Sequence, residues 1–219
     1  LEKNWTPEAT KASYNYNWAL DKNNLPLVNF YTEKIHTRHN YTWIHPVHEV
    51  LKFTGTKEQP ITLDEITLNH YPDTSKSRSS YLSLLELSVQ EDPEDDRNMH
   101  YLGREYMFYQ KWYQAITTLK KHLELKSATW KDERAASYRF IARSYKNLHN
   151  FPEARLYYDK AIQEAPHLRD ALIEKALLEY ELNNFQEVEK LCLKALQITT
   201  HEKTYINEIF SWNSTVYDL

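Results

Sequence analysis

The densest group of side chains able to do chemistry is one run, Lys34-Ile35-His36-Thr37-Arg38-His39-Asn40-Tyr41-Thr42-Trp43-Ile44-His45-Pro46-Val47-His48-Glu49. Four histidines, His36, His39, His45 and His48, fall within thirteen residues of it. His36/His39 and His45/His48 have an H-x-x-H spacing that zinc tolerates, but no cysteine stands nearby to complete a structural site. Glu49 follows the last histidine, so the H-E-x-x-H order of a metalloprotease is absent. Phosphate chemistry is bounded by the glycines. The chain has two, Gly55 and Gly103. A G-x-G-x-x-G loop needs a third, and a P-loop needs two glycines five residues apart where these are 103 − 55 = 48 apart, so neither is possible. Any nucleotide would have to be held by side chains and a metal.

Composition narrows the field further. The chain has 219 residues, 41% of them hydrophobic and 14% aromatic, which is enough for a packed core of one large domain or two small ones. Its formal net charge is -4 and no Lys/Arg run stands out, which argues against a broad nucleic-acid-binding face. No stretch of about 18 apolar residues is present to span a membrane, and Leu1-Glu2-Lys3-Asn4-Trp5 begins no signal peptide. The single cysteine, Cys192, lies in an apolar helical pattern with Leu191, Leu193 and Leu196, so a disulfide within the chain is impossible. A reducing, cytoplasmic setting is the expectation. The Asn-x-Ser/Thr triplets at Asn4, Asn40 and Asn213 then read as chance matches.

The elements that would position these groups divide into two regions. From Asp96 onward the sequence repeats. Asn150-Phe151-Pro152-Glu153-Ala154 matches Asn184-Phe185-Gln186-Glu187-Val188 at an offset of 185 − 151 = 34 residues. Ala142 with Ala176 and Ala161 with Ala195 keep that offset. An earlier copy carries Leu102-Gly103, Tyr106, Trp112 and Ala115, and lies 151 − 112 = 39 residues ahead, with the extra residues around Lys126 to Trp130. Small residues at Gly103, Ala142 and Ala176 suit helix crossings, while Tyr106, Tyr145, Trp112, Phe151 and Phe185 are expected to fill the space between. Asn150 and Asn184, each with a glutamate three residues on, suit reciprocal N-capping. Pro166 closes the second unit.

Over 96–200 the pattern resembles the tetratricopeptide repeat, with units near 96–130, 135–168 and 169–202 and a partial unit after 203. One more amphipathic helix is predicted from Lys76 to Glu91, and Thr204 to Leu219 reads as the opening of a further unit that stops before its second helix. The fold class is therefore mostly α, with 76–219 a helical hairpin array. Residues 1–75 differ. Pro26–Tyr31, Val50–Thr54, Ile61–Leu63 and Ile66–Leu68 are short β-prone runs, with turns at Asp21 to Asn24 and at Gly55.

Trp43-x-x-Pro46-Val47-His48-Glu49, after Lys34-Ile35-His36-x-Arg38, resembles the end of the catalytic domain of family 2-like glycosyltransferases. More narrowly, it is similar to a bacterial branch in which tetratricopeptide repeats follow that domain. His70-Tyr71-Pro72-Asp73, Lys76-Ser77-Arg78, Asp96-Arg97-Asn98 and Tyr101-Leu102-Gly103-Arg104-Glu105-Tyr106 continue the resemblance. It implies that 1–75 ends a GT-A-type α/β domain using a nucleotide-sugar donor, a Mn or Mg ion, and a protein or glycan acceptor. On this resemblance His48 would complete the metal or diphosphate site, and Glu49 would orient it or act on the acceptor. Lys34 and Arg38 would pair with phosphate oxygens, and Trp43 and His45 would shape the substrate pocket. Each has a structural alternative: a hydrogen-bonded histidine, an ordinary ion pair, a core tryptophan. No Asp-x-Asp triplet occurs, so this chain alone is expected to transfer no sugar and to end inside a longer protein.

The alternative function is a non-enzymatic scaffold whose repeat groove binds a peptide or protein, or pairs subunits into a homo-oligomer. His100, Arg104, Arg139, Arg143 and Lys146 are the polar groups expected on the inner helices. They hint at an acidic or hydroxyl-rich ligand, and an ordinary solvated face would look similar.

Overall fold

The computed structural model describes residues 4–73 and 80–219. The chain divides into two compact units, Leu1–Arg78 with Lys203–Tyr205, and Ser79–Glu202 with Ile206–Leu219.

The first unit is built on strands. β1 (Lys11–Leu20) lies between β2 (Pro26–His36) and β5 (Pro60–Asn69), antiparallel to the first and parallel to the second. β3 (Tyr41–Ile44) and β4 (Val50–Phe53) form a separate antiparallel hairpin. The β1–β2 turn falls where Asp21 to Asn24 predicts it. The Asp21 carboxylate accepts the backbone N–H groups of Asn23 and Leu25 at 2.7 and 2.8 Å, and Asn24 takes φ 61°. β5 continues across Asp64-Glu65, but its ladder with β1 shifts register there, from Tyr14–Leu63 to Asn15–Thr67, at the acidic pair that separates the two β-prone runs. β1 carries no strong hydrophobic alternation. Ala12 and Tyr14 are buried, while Asn17 is held by side-chain bonds to Asn29 and Asn69 on the flanking strands.

This unit is not the end of an α/β catalytic domain. An α/β layer needs helices packed on the faces of a mostly parallel sheet. Among the described residues this unit has five strands and no helix.

The second unit is helical, and the expected hairpin array is present. After α1 (Tyr81–Glu91), three hairpins follow: α2 (Asp96–Phe108) with α3 (Trp112–Glu124), α4 (Lys131–Asn147) with α5 (Phe151–Glu164), and α6 (Asp170–Glu181) with α7 (Phe185–Leu196). The predicted start of α1 at Lys76, and Lys76-Ser77-Arg78 in the resemblance, lie outside the described residues. Among the described residues no helix is long and apolar enough to cross a membrane.

Small residues set the helix crossings. Ala115, Ala142, Ala154, Ala161, Ala176 and Ala195 are fully buried. A Cβ on Gly103 would lie 2.4 Å from Cγ of Leu119 on the neighbouring helix. The aromatics do less than expected. Tyr106, Trp112, Tyr145 and Phe151 are half-buried and Phe185 is exposed, so Tyr158, Leu172, Ile173 and Leu178 fill the interior instead.

The three hairpin turns share one geometry. Gln110, His149 and Asn183 take φ of 58, 57 and 59°. The next residue's N–H in each returns five residues, from Lys111 to Tyr106, Asn150 to Tyr145 and Asn184 to Glu179. This is the left-handed helix C-cap that glycine usually supplies, here without glycine. A non-glycine residue costs about 1–2 kcal/mol in that conformation, against about 0.5–1 kcal/mol of extra chain entropy for glycine. His149→Gly should therefore raise folding stability by about 0.5–1 kcal/mol in urea denaturation.

Capping divides the two asparagines. Asn150 starts α5 without a reciprocal box, since its own N–H goes to the Tyr145 carbonyl, but its side chain accepts the N–H of Glu153. Asn184 makes no such bond, because its amide donates to Glu179 at 2.9 Å, the carboxylate that Arg155 also grips. The extra residues before α4 are partly absorbed as helix: α4 has 17 residues where α2 has 13. Arg134 fastens the remaining loop through the carbonyls of Leu123 and Ala128. After α7 there is no further long helix. A short 3-10 turn (Ile209–Ser211) and α8 (Thr215–Asp218) instead place Phe210, Val216 and Leu219 on the core of the last hairpin.

Candidate partner-binding cleft and a buried histidine cluster

The helical unit contains a cleft of about 450 Å³. Met107, Phe108, Trp112, Tyr158, Leu177 and Phe210 supply its apolar wall, and Gln110, Arg143, Lys146, Asn147 and Glu174 its polar groups. Phe108 is 55% exposed, a large apolar side chain whose ring carries the Arg104 guanidinium at 5.8 Å and otherwise faces the cleft. Lys146 pairs with Glu181, itself an exposed carboxylate. That pair is worth little to folding and exchanges easily for another anion.

One end of the cleft is fixed by a buried ion network. Arg143 makes a two-pronged contact with Glu174, Nε to Oε2 at 2.7 Å and Nη2 to Oε1 at 2.6 Å, and also meets Glu208. Arg139 lies 3.2 Å from Asp170, 3.4 Å from Glu174 and 3.5 Å from Glu208. Arg139, Asp170 and Glu174 are all nearly inaccessible. Burial pushes the Glu174 carboxyl up, but Arg143 and Arg139 outweigh it and hold the group below its ordinary value. Burial pushes the Tyr158 hydroxyl well up, which keeps it neutral.

A second cluster lies beneath the first hairpin. His100 on α2, His122 on α3 and Glu133 on α4 are buried, and one ligand atom from each lies within 4.8 Å of the others. Ser137 sits between the rings, its Oγ 2.7 Å from Nδ1 of His100 and 2.9 Å from Nδ1 of His122. Burial pushes the pKa of His100 down to about 3, so its ring is neutral. Among the described residues this is the one group of three His, Cys, Asp or Glu side chains placed to hold a metal.

The residues singled out on sequence lie elsewhere. Lys34 and His36 end β2, and Trp43 stands on β3. The Lys34 ammonium is 5.9 Å from the Trp43 ring centre, and the His36 ring meets Trp43 edge-on at 5.9 Å. Trp43 is thus 46% exposed rather than core. Arg38 and Glu49 are exposed. His45 and His48 fall in the β3–β4 connection at φ of 72 and 55°. The run joins a cation, an imidazole and an indole at one edge, and contributes no three-ligand group among the described residues.

On the inner helices the solvated-face reading fails for His100 and Arg139, which are buried. Sequence reading missed Asp170, Glu174 and Glu208 as their partners. A signal existed: opposite charges about one repeat apart. Arg143–Glu174, Lys146–Glu181, Arg134–Glu164 and Asp132–His167 are separated by 31, 35, 30 and 35 residues.

No family model and no curated protein matches the chain. Solved structures similar to it include MamA MSR-1 C2, at 21% identity over 55% of this chain and 66% of that one, with a TM-score of 0.45. A second crystal structure of MamA has 18% identity over 59% and 77% of the two chains, with a TM-score of 0.47. MamA AMB-1 C2221 has 21% identity over 55% and 68%, with a TM-score of 0.44. The chain thus spans about two thirds of the first of these relatives. These are MamA structures and not glycosyltransferases. The strand unit, which among its described residues has no helix, overturns the glycosyltransferase resemblance and with it the expected nucleotide-sugar donor.

Proposed function

We propose that this chain is a non-enzymatic interaction scaffold that holds a segment of a partner polypeptide in the cleft of its helical unit. The observation that carries this reading is the pairing of an apolar cleft wall that presents the half-exposed Phe108 with Lys146, a cation whose own partner is exposed. An apolar side chain of the partner would enter beside Phe108 and Phe210, and a nearby carboxylate would take the place of Glu181 on Lys146. The buried ion network behind Arg143 keeps the wall rigid, which lowers the ordering cost of binding. The repeat architecture supports the same reading, since stacked hairpins present a continuous surface to an extended ligand.

A displayed random-peptide library selected against the full chain tests this. The selected peptides should carry a large apolar residue near an Asp or Glu. They should bind Phe108→Ala and Lys146→Glu variants at least about tenfold more weakly, a loss of about 1.4 kcal/mol. Peptides that bind both variants as tightly as the parent chain would contradict the proposal, as would a selection returning none.

A further inference from the structure

We propose that His100, His122 and Glu133 form a binding site for one divalent transition-metal ion of the imidazole-preferring class, such as zinc. Three elements converge on it, and the third exists because of the widened repeat spacing. Glu133 belongs to the added first turn of α4, and Ser137 lies one turn further along the same face. Both imidazoles and the serine are completely buried, and Glu133 is 5% exposed.

The hydrogen-bond inventory is what points to a cation. A serine oxygen has two lone pairs, so in one assignment Ser137 accepts Nδ1–H from both rings at once. That arrangement leaves both Nε2 lone pairs bare. Neither Nε2 has a hydrogen-bond partner, and Nε2 of His122 stands 3.5 Å from Glu133 Oε1, too far for a good hydrogen bond. If Ser137 donates to one ring instead, that ring's proton moves to Nε2 and is stranded. Every metal-free assignment therefore leaves buried nitrogen unsatisfied, which is costly. One ligand nitrogen of each ring and a carboxylate oxygen of Glu133 lie within 4.8 Å of one another, so one ion can take all three, while Ser137 orients the rings, as outer-shell partners of metal-bound histidines do.

Two His and one carboxylate suit zinc and its neighbours rather than magnesium or calcium, which want oxygen ligands. The guanidinium groups of Arg104 and Arg139 both act electrostatically on His100. Their charge opposes every cation, so an ion there must be held through nitrogen ligation rather than by charge alone.

Metal content of the full-length chain after incubation with zinc and exhaustive dialysis, with cobalt as a spectroscopic probe, decides the matter. One ion per chain is expected, with cobalt giving the intense visible bands of a tetrahedral site. His122→Gln and Glu133→Gln should each lower zinc affinity at least tenfold, and Ser137→Ala by about 10–100-fold. Circular dichroism of each variant confirms that it is folded. Should Glu133→Gln or Ser137→Ala destabilise the chain, the cobalt spectrum of the parent protein still reports the ligand geometry. Failure of the parent chain to retain zinc would overturn the assignment. So would equal retention by the folded His122→Gln variant, which would place the ion elsewhere.

Discussion

Replacing Arg139 by methionine is expected to cost about 3–5 kcal/mol of folding stability. Arg139 is buried and faces three carboxylates, Asp170, Glu174 and Glu208, with Arg143 the other guanidinium in the network. Without it, buried carboxylates outnumber their cations, and removing one side of such a network leaves charge with no compensation. The double variant Arg139→Met/Glu174→Gln should lose less than the sum of the two single changes, because the second removes a charge that the first had stranded.

The pH dependence separates this network from a packing effect. The native carboxyl of Glu174 titrates below its ordinary value of 4.5, so its contribution is complete above that pH and fades as pH falls through the lower native value. In the Arg139→Met chain burial is less opposed, so the acid limb of the stability curve should move to higher pH. His100 adds an independent slope. Its native pKa of about 3 lies below the ordinary 6.5, so the unfolded chain takes up a proton first. In the metal-free chain stability should therefore fall as pH drops from 6.5 toward 3. Urea titrations across pH read both effects, and an unmoved acid limb in Arg139→Met would refute the role given to Glu174.

Gly103→Ala is the second large effect. In an exposed helix the change would be favourable by up to about 1 kcal/mol. Here the new Cβ meets Leu119 Cγ at 2.4 Å and Cδ2 at 2.6 Å, and the backbone N of Leu119 at 3.3 Å. Leu119 is fully buried and has no room to swing away, so the first hairpin must open. A net cost of about 1–3 kcal/mol is expected. Combining it with Leu119→Ala should cost less than the two changes separately, since each relieves what the other creates. Additive losses in urea denaturation would mean that the two residues do not meet.

The helical array was legible because its signals are local and repeated. The 34-residue offset, the alanines and the capping asparagine at 150 need only a few neighbours to act. The first unit was less legible because β1 is written in tyrosine and asparagine. Its central place depends on side-chain bonds from Asn17 to residues twelve and fifty-two positions away. The cleft was partly visible through Arg143 and Lys146, but their partners come from the next repeat. Glu208, from the chain after α7, had no pattern to announce it. The histidine-rich run drew attention by density alone. The cluster with metal-ligand geometry instead joins His100, His122 and Glu133 through the packing of three helices.

The most direct test of the scaffold reading is amide chemical-shift mapping of the full chain with a selected peptide at saturation. Perturbations at Phe108, Gln110, Lys146 and Phe210, with little change in β1 to β5, are the predicted result. Shifts confined to the amino-terminal strands would contradict it and move the binding surface to the unit that carries the histidine run.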